Sequence, residues 1–306
     1  MTASVRARPA AIEPAAKPVR WSQRLEAAGT SVWFGLMRLL PLDAASAFGG
    51  WLGRTIGPRL GISKRARQNL AKTMPELSRL EIERIVRGMW DNLGRVVAEY
   101  PHLRDIRVFA PNRRVAPQGV EHVDQALAAG RTIIFFSAHI ANWEIGPLAA
   151  VEYGLSTALV YRPANNPLVD RIIERCRGAH RMLIPKGGRA GREALTALRR
   201  GTHLLMLVDQ KMNDGIPVPF FGRPAMTAPG LAALALRSNC AVLPTRVERV
   251  GGAHFRLTVE APLPLPESGD RDGDAAALMA AVNQTVERWV RARPEQWFWL
   301  HRRWPD

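Results

Sequence analysis

The stretch that decides the fold reads TIIFFSAHIANWE and runs from Thr132 to Glu144. It opens as a run of β-branched and aromatic residues, which is typical of a fully buried strand. The run stops at small polar residues, and a helical pattern follows from Trp143. His139 is therefore predicted at the carboxyl end of a strand, where open α/β sheets bind their ligands.

His139 and Glu144 form the first candidate pair. On one continuous helix their spacing would place the two side chains on different faces, about 140° apart. They can meet only if His139 lies in the turn and Glu144 lies in the first helical turn, and the strand–turn–helix order provides this. A carboxylate that holds a neutral imidazole makes a general base, because it fixes the tautomer and stabilises the imidazolium. The alternative is a histidine hydrogen-bonded inside the turn, and these two residues alone leave both interpretations open.

Strand-like and helix-like segments alternate downstream of about Val115. Buried or alternating apolar runs predict strands over residues 132–137, 156–161, 203–208, 241–248 and 255–260. Helical spacing predicts helices over residues 143–151, 166–177, 189–199, 228–238 and 274–291. Such alternation predicts an α/β fold with a mostly parallel sheet flanked by helices on both faces.

One amphipathic helix is predicted upstream of the sheet. Its apolar residues recur at helical spacing from Ile82 to Tyr100, and Pro101 ends it. Asn92 and Glu99 lie on this helix. We expect them to support the core rather than to react.

Polar side chains follow two further strands of the predicted sheet. Arg162 follows the strand over 156–161, and Asp209 and Gln210 follow the strand over 203–208. All three are therefore expected at the same sheet edge as His139. A guanidinium suits a phosphate group, and a carboxylate with an amide could orient sugar hydroxyls or Arg162. A structural role in the loops is the alternative for all three.

The charge balance points to an anionic partner. The chain has 43 Lys and Arg against 27 Asp and Glu, which gives a net charge of +16. Nucleic acid is disfavoured, because no RNA-binding signature, zinc-finger spacing or helix-turn-helix pattern is evident. The chain has 2 cysteines, which argue against a disulfide framework and favour a reducing, cytoplasm-facing environment. No Cys and His cluster predicts a metal site.

The chain is expected to have three parts: residues 1–20, 21–105 and 106–306. The first is rich in Ala, Pro and Arg and lacks the apolar core of a signal peptide, so a flexible basic tail is predicted. The second is predicted to be helical and membrane-associating, because tryptophans recur among arginines and its apolar runs are too short to span a bilayer. Ordinary core helices are the alternative. The third is the predicted α/β catalytic domain.

The His-x4-Glu pattern after a buried strand resembles the glycerolipid acyltransferase superfamily. Its version here, with Asn142 and Trp143 before Glu144, is similar to the lipid A late acyltransferases, the lauroyl and myristoyl transferases. Further stretches agree in order: VYRP at 160–163, NPL at 166–168, LIPK at 183–186, DQ at 209–210, VPFFG at 218–222 and PEQWFWLHRR at 294–303. The resemblance covers about Arg65 to Arg303.

The resemblance implies an O-acyltransferase without metal or cofactor. His139 would take a proton from an acceptor hydroxyl as it attacks an acyl thioester, Glu144 would orient the imidazole, and Arg162, Asp209 and Gln210 would bind the acceptor. Acyl carrier protein is the implied donor and a lipid A precursor the implied acceptor. The implied place is the cytoplasmic face of the bacterial inner membrane, with peripheral or monotopic attachment. The alternatives are another lysophospholipid or glycolipid acceptor, and a membrane lipid-binding protein without chemistry.

Overall fold

A computed structural model of the chain describes residues 19–178, 182–187 and 189–304. Apart from its last two residues, the predicted basic tail lies outside the described residues. In the described part of the chain, four α-helices precede the sheet: α1 (Trp21–Leu39), α2 (Leu42–Ile56), α3 (Ser63–Thr73) and α4 (Arg79–Glu99). The side chains of Ser78 and Glu81 each accept from the other's backbone N–H, which fixes the start of α4. The predicted amphipathic helix is confirmed as α4.

Helices α2 and α4 pack closely because glycines face each other. A Cβ built on Gly49 would lie 2.4 Å from the carbonyl oxygen of Gly94, and one built on Gly94 would lie 2.1 Å from that of Gly49. No side chain fits at either position. Helix α2 is thereby held against α4, which in turn contacts the site described below.

Helix α1 presents an apolar stripe to solvent. The stripe consists of side chains that are 53% to 81% exposed: Trp21, Leu25, Val32, Leu36 and Leu39. In α2, Phe48 and Trp51 are also exposed and stack on each other. Across the described parts of the chain, no helix combines the length and the apolar character needed to cross a membrane.

The main sheet has seven strands in the order β1-β9-β8-β2-β5-β3-β4. Its strands are β1 (Val115–Gln118), β2 (Thr132–Ser137), β3 (Thr157–Tyr161), β4 (Met182–Pro185), β5 (His203–Leu207), β8 (Cys240–Gly251) and β9 (His254–Val259). All neighbours are parallel except β8 and β9, which are antiparallel. The predicted α/β class with a mostly parallel sheet is confirmed. A separate hairpin joins β6 (Lys211–Phe220) to β7 (Arg223–Thr227).

Helices cover both faces of this sheet. They are α5 (Glu121–Ala128), α6 (Ile145–Glu152), α7 (Pro167–Arg177), α8 (Ala190–Arg199), α9 (Gly230–Ala235) and α10 (Arg271–Ala292). One face of the sheet joins the larger core, which includes Ile134, Phe136 and Trp289. The other face carries a smaller apolar cluster that includes Phe135 and Leu205. Residues alternate between the two cores along β2, as the pleat requires.

All five predicted strands are present in the sheet. Of the predicted helices, the one over 228–238 is shorter than expected, because α9 ends at Ala235. The segment before α6 is a turn, so the helix begins at Ile145 with Glu144 as its N-cap residue rather than at Trp143. Strands β1 and β4 and the β6–β7 hairpin had no counterpart in the sequence prediction.

Candidate active site

The candidate site lies where β2 and β5 end. The two strands are parallel neighbours, and Ser137 pairs with Leu207. Because their carboxyl ends lie side by side, His139 and Asp209, each the second residue beyond these ends, lie next to each other. The backbone N–H of Val208 also donates to the carbonyl of Ser137, at 3.1 Å.

The carboxylate of Asp209 holds His139 at two points. Oδ1 of Asp209 is 2.8 Å from Nδ1 of His139, and Oδ2 accepts from the backbone N–H of His139 at 2.9 Å. The indole N–H of Trp297 donates to Oδ2 as well, at 2.8 Å. The side chain of Asp209 is 0% exposed and that of His139 is 15% exposed. The imidazole is therefore fixed from within the protein while one edge remains accessible.

The protonation state of this pair follows from its surroundings. Burial alone would raise the pKa of Asp209, but the charge and hydrogen bonds of His139 outweigh it and hold the pKa well below the usual range. Asp209 is therefore an ionised acceptor, so Nδ1 of His139 must be the protonated nitrogen that donates to it. This tautomer leaves the lone pair on Nε2, where a general base needs it.

The turn that carries His139 is strained and held from outside. Ala141 has a φ of 49°, which is unusual for a residue other than glycine. Its N–H donates to the carbonyl of Gln296 at 2.9 Å, and its carbonyl accepts from the amide of Asn92 at 3.1 Å. The carbonyl of His139 accepts from the N–H of Phe298 at 3.1 Å. The C-terminal segment and α4 thus keep the turn in this conformation.

A buried ion pair supports the same turn from α4. Arg249 donates to Glu99 at 2.5 Å and to the side-chain oxygen of Asn92 at 3.0 Å. The other oxygen of Glu99 accepts from the amide of Asn142 at 2.8 Å. These contacts agree with the expectation that Asn92 and Glu99 are supporting residues.

Glu144 is held by a different partner from the one expected. Its carboxylate accepts from Arg177 at 2.6 and 2.9 Å and from the hydroxyl of Tyr100 at 2.9 Å. Both members of the Glu144–Arg177 pair are nearly buried, with side chains 2% and 13% exposed. Burial and the charge of Glu144 raise the pKa of Tyr100 well above its usual value, so its hydroxyl stays a donor. The hydrogen bond that orients His139 therefore comes from Asp209, not from Glu144 as expected, and a catalytic role for Glu144 stays a prediction.

One cleft brings the predicted site residues together. Its walls include all of His139, Glu144, Arg162 and Gln210. The amide nitrogen of Gln210 lies 3.5 Å from Nε2 of His139. Arg162 is exposed and donates to Asn165 at 3.4 Å. Asp209 is buried behind His139 and does not reach the surface of the cleft. It therefore contacts the base and not the acceptor.

The cleft also holds two cations, Lys186 and Arg177, that are not among the predicted catalytic and substrate-binding residues. Lys186 lines it, and burial, together with the charge of Arg162, lowers the pKa of Lys186 despite the opposing charge of Asp209. Arg177 is a further wall residue. Burial would lower its pKa, but the charge of Glu144 and the hydrogen bonds to it have the larger effect and raise the pKa of Arg177. The cleft mouth is thus positively charged and suits an anionic substrate.

His301 is a second histidine next to the base. Its ring lies 5.0 Å from the ring of His139, edge to face, and burial lowers its pKa to about 3. One ligand atom each from His139, Asp209 and His301 lie within 4.8 Å of one another, which would suit a small divalent cation. The Asp209 carboxylate already accepts three hydrogen bonds there, and the expectation that no metal is needed stays a prediction.

The residues that the sequence missed have weak local signals. Arg177 lies at the end of α7, where a basic residue favours the helix dipole whatever its function. Trp297 and His301 belong to the C-terminal PEQWFWLHRR stretch, which the sequence analysis gave only as part of the family resemblance. The run of aromatics indicated packing, but nothing in it showed contact with a residue near position 209.

The chain matches known proteins over most of its length. A family model described as bacterial lipid A biosynthesis acyltransferase matches residues 16–306. The lipid A biosynthesis lauroyltransferase of Escherichia coli is 29% identical over 79% of this chain and 78% of its own. The lipid A biosynthesis palmitoleoyltransferase of the same organism is 27% identical, over 89% and 90%. The phosphatidylinositol mannoside acyltransferase of Mycobacterium tuberculosis is 25% identical, over 89% and 86%. The chain therefore belongs to the bacterial lipid A biosynthesis acyltransferase family, and it is an acyltransferase.

Proposed function

We propose that the protein transfers a fatty acyl chain from an acyl carrier protein thioester to a hydroxyl of a lipid A precursor. One observation carries the chemistry: His139, held by the buried Asp209, lines a cleft with apolar walls and a cationic rim. Phe135, Leu159 and Leu205 are among the apolar wall residues. An acyl chain suits these walls, and a phosphorylated acceptor suits the rim.

In the proposed reaction, Nε2 of His139 takes the proton of the acceptor hydroxyl as its oxygen attacks the thioester carbonyl. The ionised Asp209 stabilises the imidazolium that forms. The tetrahedral intermediate collapses, the carbon–sulfur bond breaks, and the imidazolium returns its proton to the leaving thiolate. We assign the stabilisation of the oxyanion to backbone N–H groups in the turn that leads into α6. Those of Asn142 and Trp143 have no hydrogen-bond partner among the described residues.

Glu144 keeps a part in this proposal through Arg177. The carboxylate fixes the guanidinium in the cleft wall at 2.6 Å, where a cation can interact with the acceptor or with the developing negative charge. Arg162, with Gln210 next to the base, binds the acceptor, and a bidentate guanidinium contact suits a phosphate. The pair of His139 and Glu144 is thus proposed as catalytic, with Asp209 as the orienting carboxylate.

The acceptor has a second candidate. The mycobacterial relative is named for acylation of a phosphatidylinositol mannoside, and its match covers as much of this chain as that of the palmitoleoyltransferase. A glycolipid with a sugar hydroxyl and a nearby phosphate would meet the same cleft chemistry in both cases. We favour the lipid A precursor because the family model and most of the named relatives concern lipid A.

The place of action is proposed to be the cytoplasmic face of the bacterial inner membrane. The apolar stripe of α1 faces solvent, and the net charge of +16 favours anionic lipids and an acidic carrier protein. We propose that residues 21–105 attach the protein peripherally, while residues 106–306 form the catalytic domain.

The test uses purified protein with lauroyl–acyl carrier protein and a lipid A precursor that has a free hydroxyl. Mass spectrometry should show a gain of one acyl group, and His139→Ala should show none while its thermal unfolding stays near that of the wild type. Parallel reactions with phosphatidylinositol mannoside and with a lysophospholipid identify the acceptor. Binding of lipid without transfer to any of them would overturn the proposal in favour of a lipid-binding protein.

A further inference from the structure

A second apolar cavity adjoins the cleft that contains His139. The cleft has a volume of about 720 Å³ and the second cavity about 390 Å³, and both volumes include space that is open to solvent. The second cavity lies under α5 and α6, and its walls include Val123, Tyr153 and Val259. Both cavities contact members of the same apolar cluster on one face of the sheet.

The two cavities share four wall residues, namely Phe135, Gly146, Leu205 and Thr245. Three of these come from neighbouring strands: β5, β2 and β8 are adjacent in the sheet. The fourth, Gly146, is the second residue of α6 and lies only two residues after Glu144. The boundary between the cavities is therefore formed by three neighbouring strands together with Gly146, which is close to Glu144 in sequence.

Gly146 leaves space where any other residue would place a side chain. A Cβ built on it would have no atom within 4 Å, apart from its own helix backbone and chain neighbours. Its backbone is helical, and its φ is not in the positive region, so a larger residue is sterically allowed. A side chain at this position would occupy the space that both cavities border.

We propose that Gly146 determines the acyl chain length of the reaction, because it leaves the second cavity open to the far end of the acyl chain. This inference rests on the proposed function. The thioester carbon of the donor must lie near Nε2 of His139, so the chain enters the cleft there and its methyl end points along the apolar walls. The absence of a side chain at Gly146 lets a long chain pass over Phe135 toward Val259.

The energetics give the expected size of the effect. Burial of one methylene contributes about 0.8 kcal/mol. This corresponds to about fourfold in kcat/KM, provided that the methylene is also buried in the transition state. A side chain at position 146 should exclude the terminal methylenes of long chains and leave short chains unaffected. Loss of two to four buried methylenes should therefore reach roughly 16- to 250-fold in discrimination.

The experiment measures kcat/KM with octanoyl, decanoyl, lauroyl, myristoyl and palmitoyl thioesters of acyl carrier protein. Gly146→Ala should shift the preferred chain to a shorter length, and Gly146→Leu should shift it further. Gly191→Leu is the matched control, because Gly191 is also the second residue of its helix, α8, and also has no atom within 4 Å of a built Cβ. It lines neither cavity, so its profile should equal that of the wild type.

The outcomes separate the two proposals. A shift toward shorter chains in the Gly146 variants, with octanoyl transfer retained, supports the chain-length role. If Gly146→Leu does not fold, the graded shift in Gly146→Ala decides in its place. Profiles equal to that of Gly191→Leu would overturn the chain-length role alone. Wild-type protein that transfers no acyl group from any of the thioesters would overturn the proposed function itself.

Discussion

Replacement of Asp209 by asparagine should remove most of the catalytic rate without removing the cleft. In the wild type, the carboxylate lies 2.8 Å from Nδ1 of His139 and its side chain is 0% exposed. Two unit charges about 4 Å apart at an effective dielectric constant of about 20 interact by about 4 kcal/mol. The neutral amide loses that stabilisation of the imidazolium, which alone corresponds to about a thousandfold in kcat.

A second effect acts in the same direction. The amide of an asparagine can donate to Nδ1 of His139, which would place the imidazole proton on Nε2 and remove the basic lone pair from the cleft. In serine-protease triads the equivalent change costs about 10⁴-fold in kcat. We therefore expect Asp209→Asn to lower kcat by roughly 10³- to 10⁴-fold. The change should be measured at saturating donor and acceptor, with the free energy of unfolding determined for the same preparation.

Glu144→Gln is the matched comparison, because it also replaces a buried carboxylate by an amide in the same cleft. Its main consequence should be a loss of stability, because the guanidinium of Arg177 would lose its counter-ion. Removal of one partner of a buried ion pair costs about 3–5 kcal/mol. We expect a smaller loss of kcat than in Asp209→Asn, and unfolding at a lower denaturant concentration.

The reverse pattern would refute this assignment. If Asp209→Asn kept kcat within tenfold of the wild type while a folded Glu144→Gln was as inactive as His139→Ala, Glu144 would be the orienting carboxylate. The dyad expected from the sequence would then be correct, and the hydrogen bond between Asp209 and His139 would have only a structural role.

Three further outcomes are expected. Arg162→Ala should raise KM for a phosphorylated acceptor more than it lowers kcat, because a cation at the rim binds ground state and transition state alike; unchanged kinetics would contradict this. His301 has its pKa lowered from 6.5 to about 3 by burial, so between these pH values the unfolded chain holds a proton that the folded chain lacks. The free energy of unfolding should therefore fall as pH falls from 6.5 toward 3, and urea titrations of His301→Gln should show a flatter dependence. Serine at Trp21, Leu25 and Leu36 together should release the protein from anionic vesicles in high salt, and full retention in a sedimentation assay would contradict attachment through α1.

The sequence predicted five of the seven strands in the main sheet and the place of His139 at the carboxyl end of β2. The apolar run before His139 predicts β2, and the later strands follow from similar runs, because buried parallel strands need continuous apolar residues. The position of Arg162, Asp209 and Gln210 at the same sheet edge as His139 could also be predicted, since parallel strands have their carboxyl ends on the same side of a sheet. The shorter strands were missed because they lack that pattern: β4 is four residues long, with Met182 half-exposed and Pro185 at its end.

The sequence could not show which of the two carboxylates, Asp209 or Glu144, holds His139. Asp209 reaches His139 because β5 lies directly beside β2, in the order β2-β5-β3, although β3 comes first along the chain. Local patterns give the strands but not their order, so Asp209 was interpreted as an acceptor ligand. Glu144 was favoured because it is close to His139 in sequence, and Arg177, which holds it, lies beyond the next strand.

The energies of the two pairs also argue against an exchange of partners in the free protein. For Glu144 to hold His139, it would have to leave Arg177, whose guanidinium is 13% exposed, and the hydroxyl of Tyr100. An unpaired charge at such a depth costs about 3–5 kcal/mol, whereas a hydrogen bond to a charged group contributes about 1.5–3 kcal/mol. Asp209 meanwhile already satisfies Nδ1 and is itself fixed by Trp297. The site therefore contains two separate hydrogen-bonded pairs: His139 with Asp209 supplies the base, and Arg177 with Glu144 places a cation in the cleft wall.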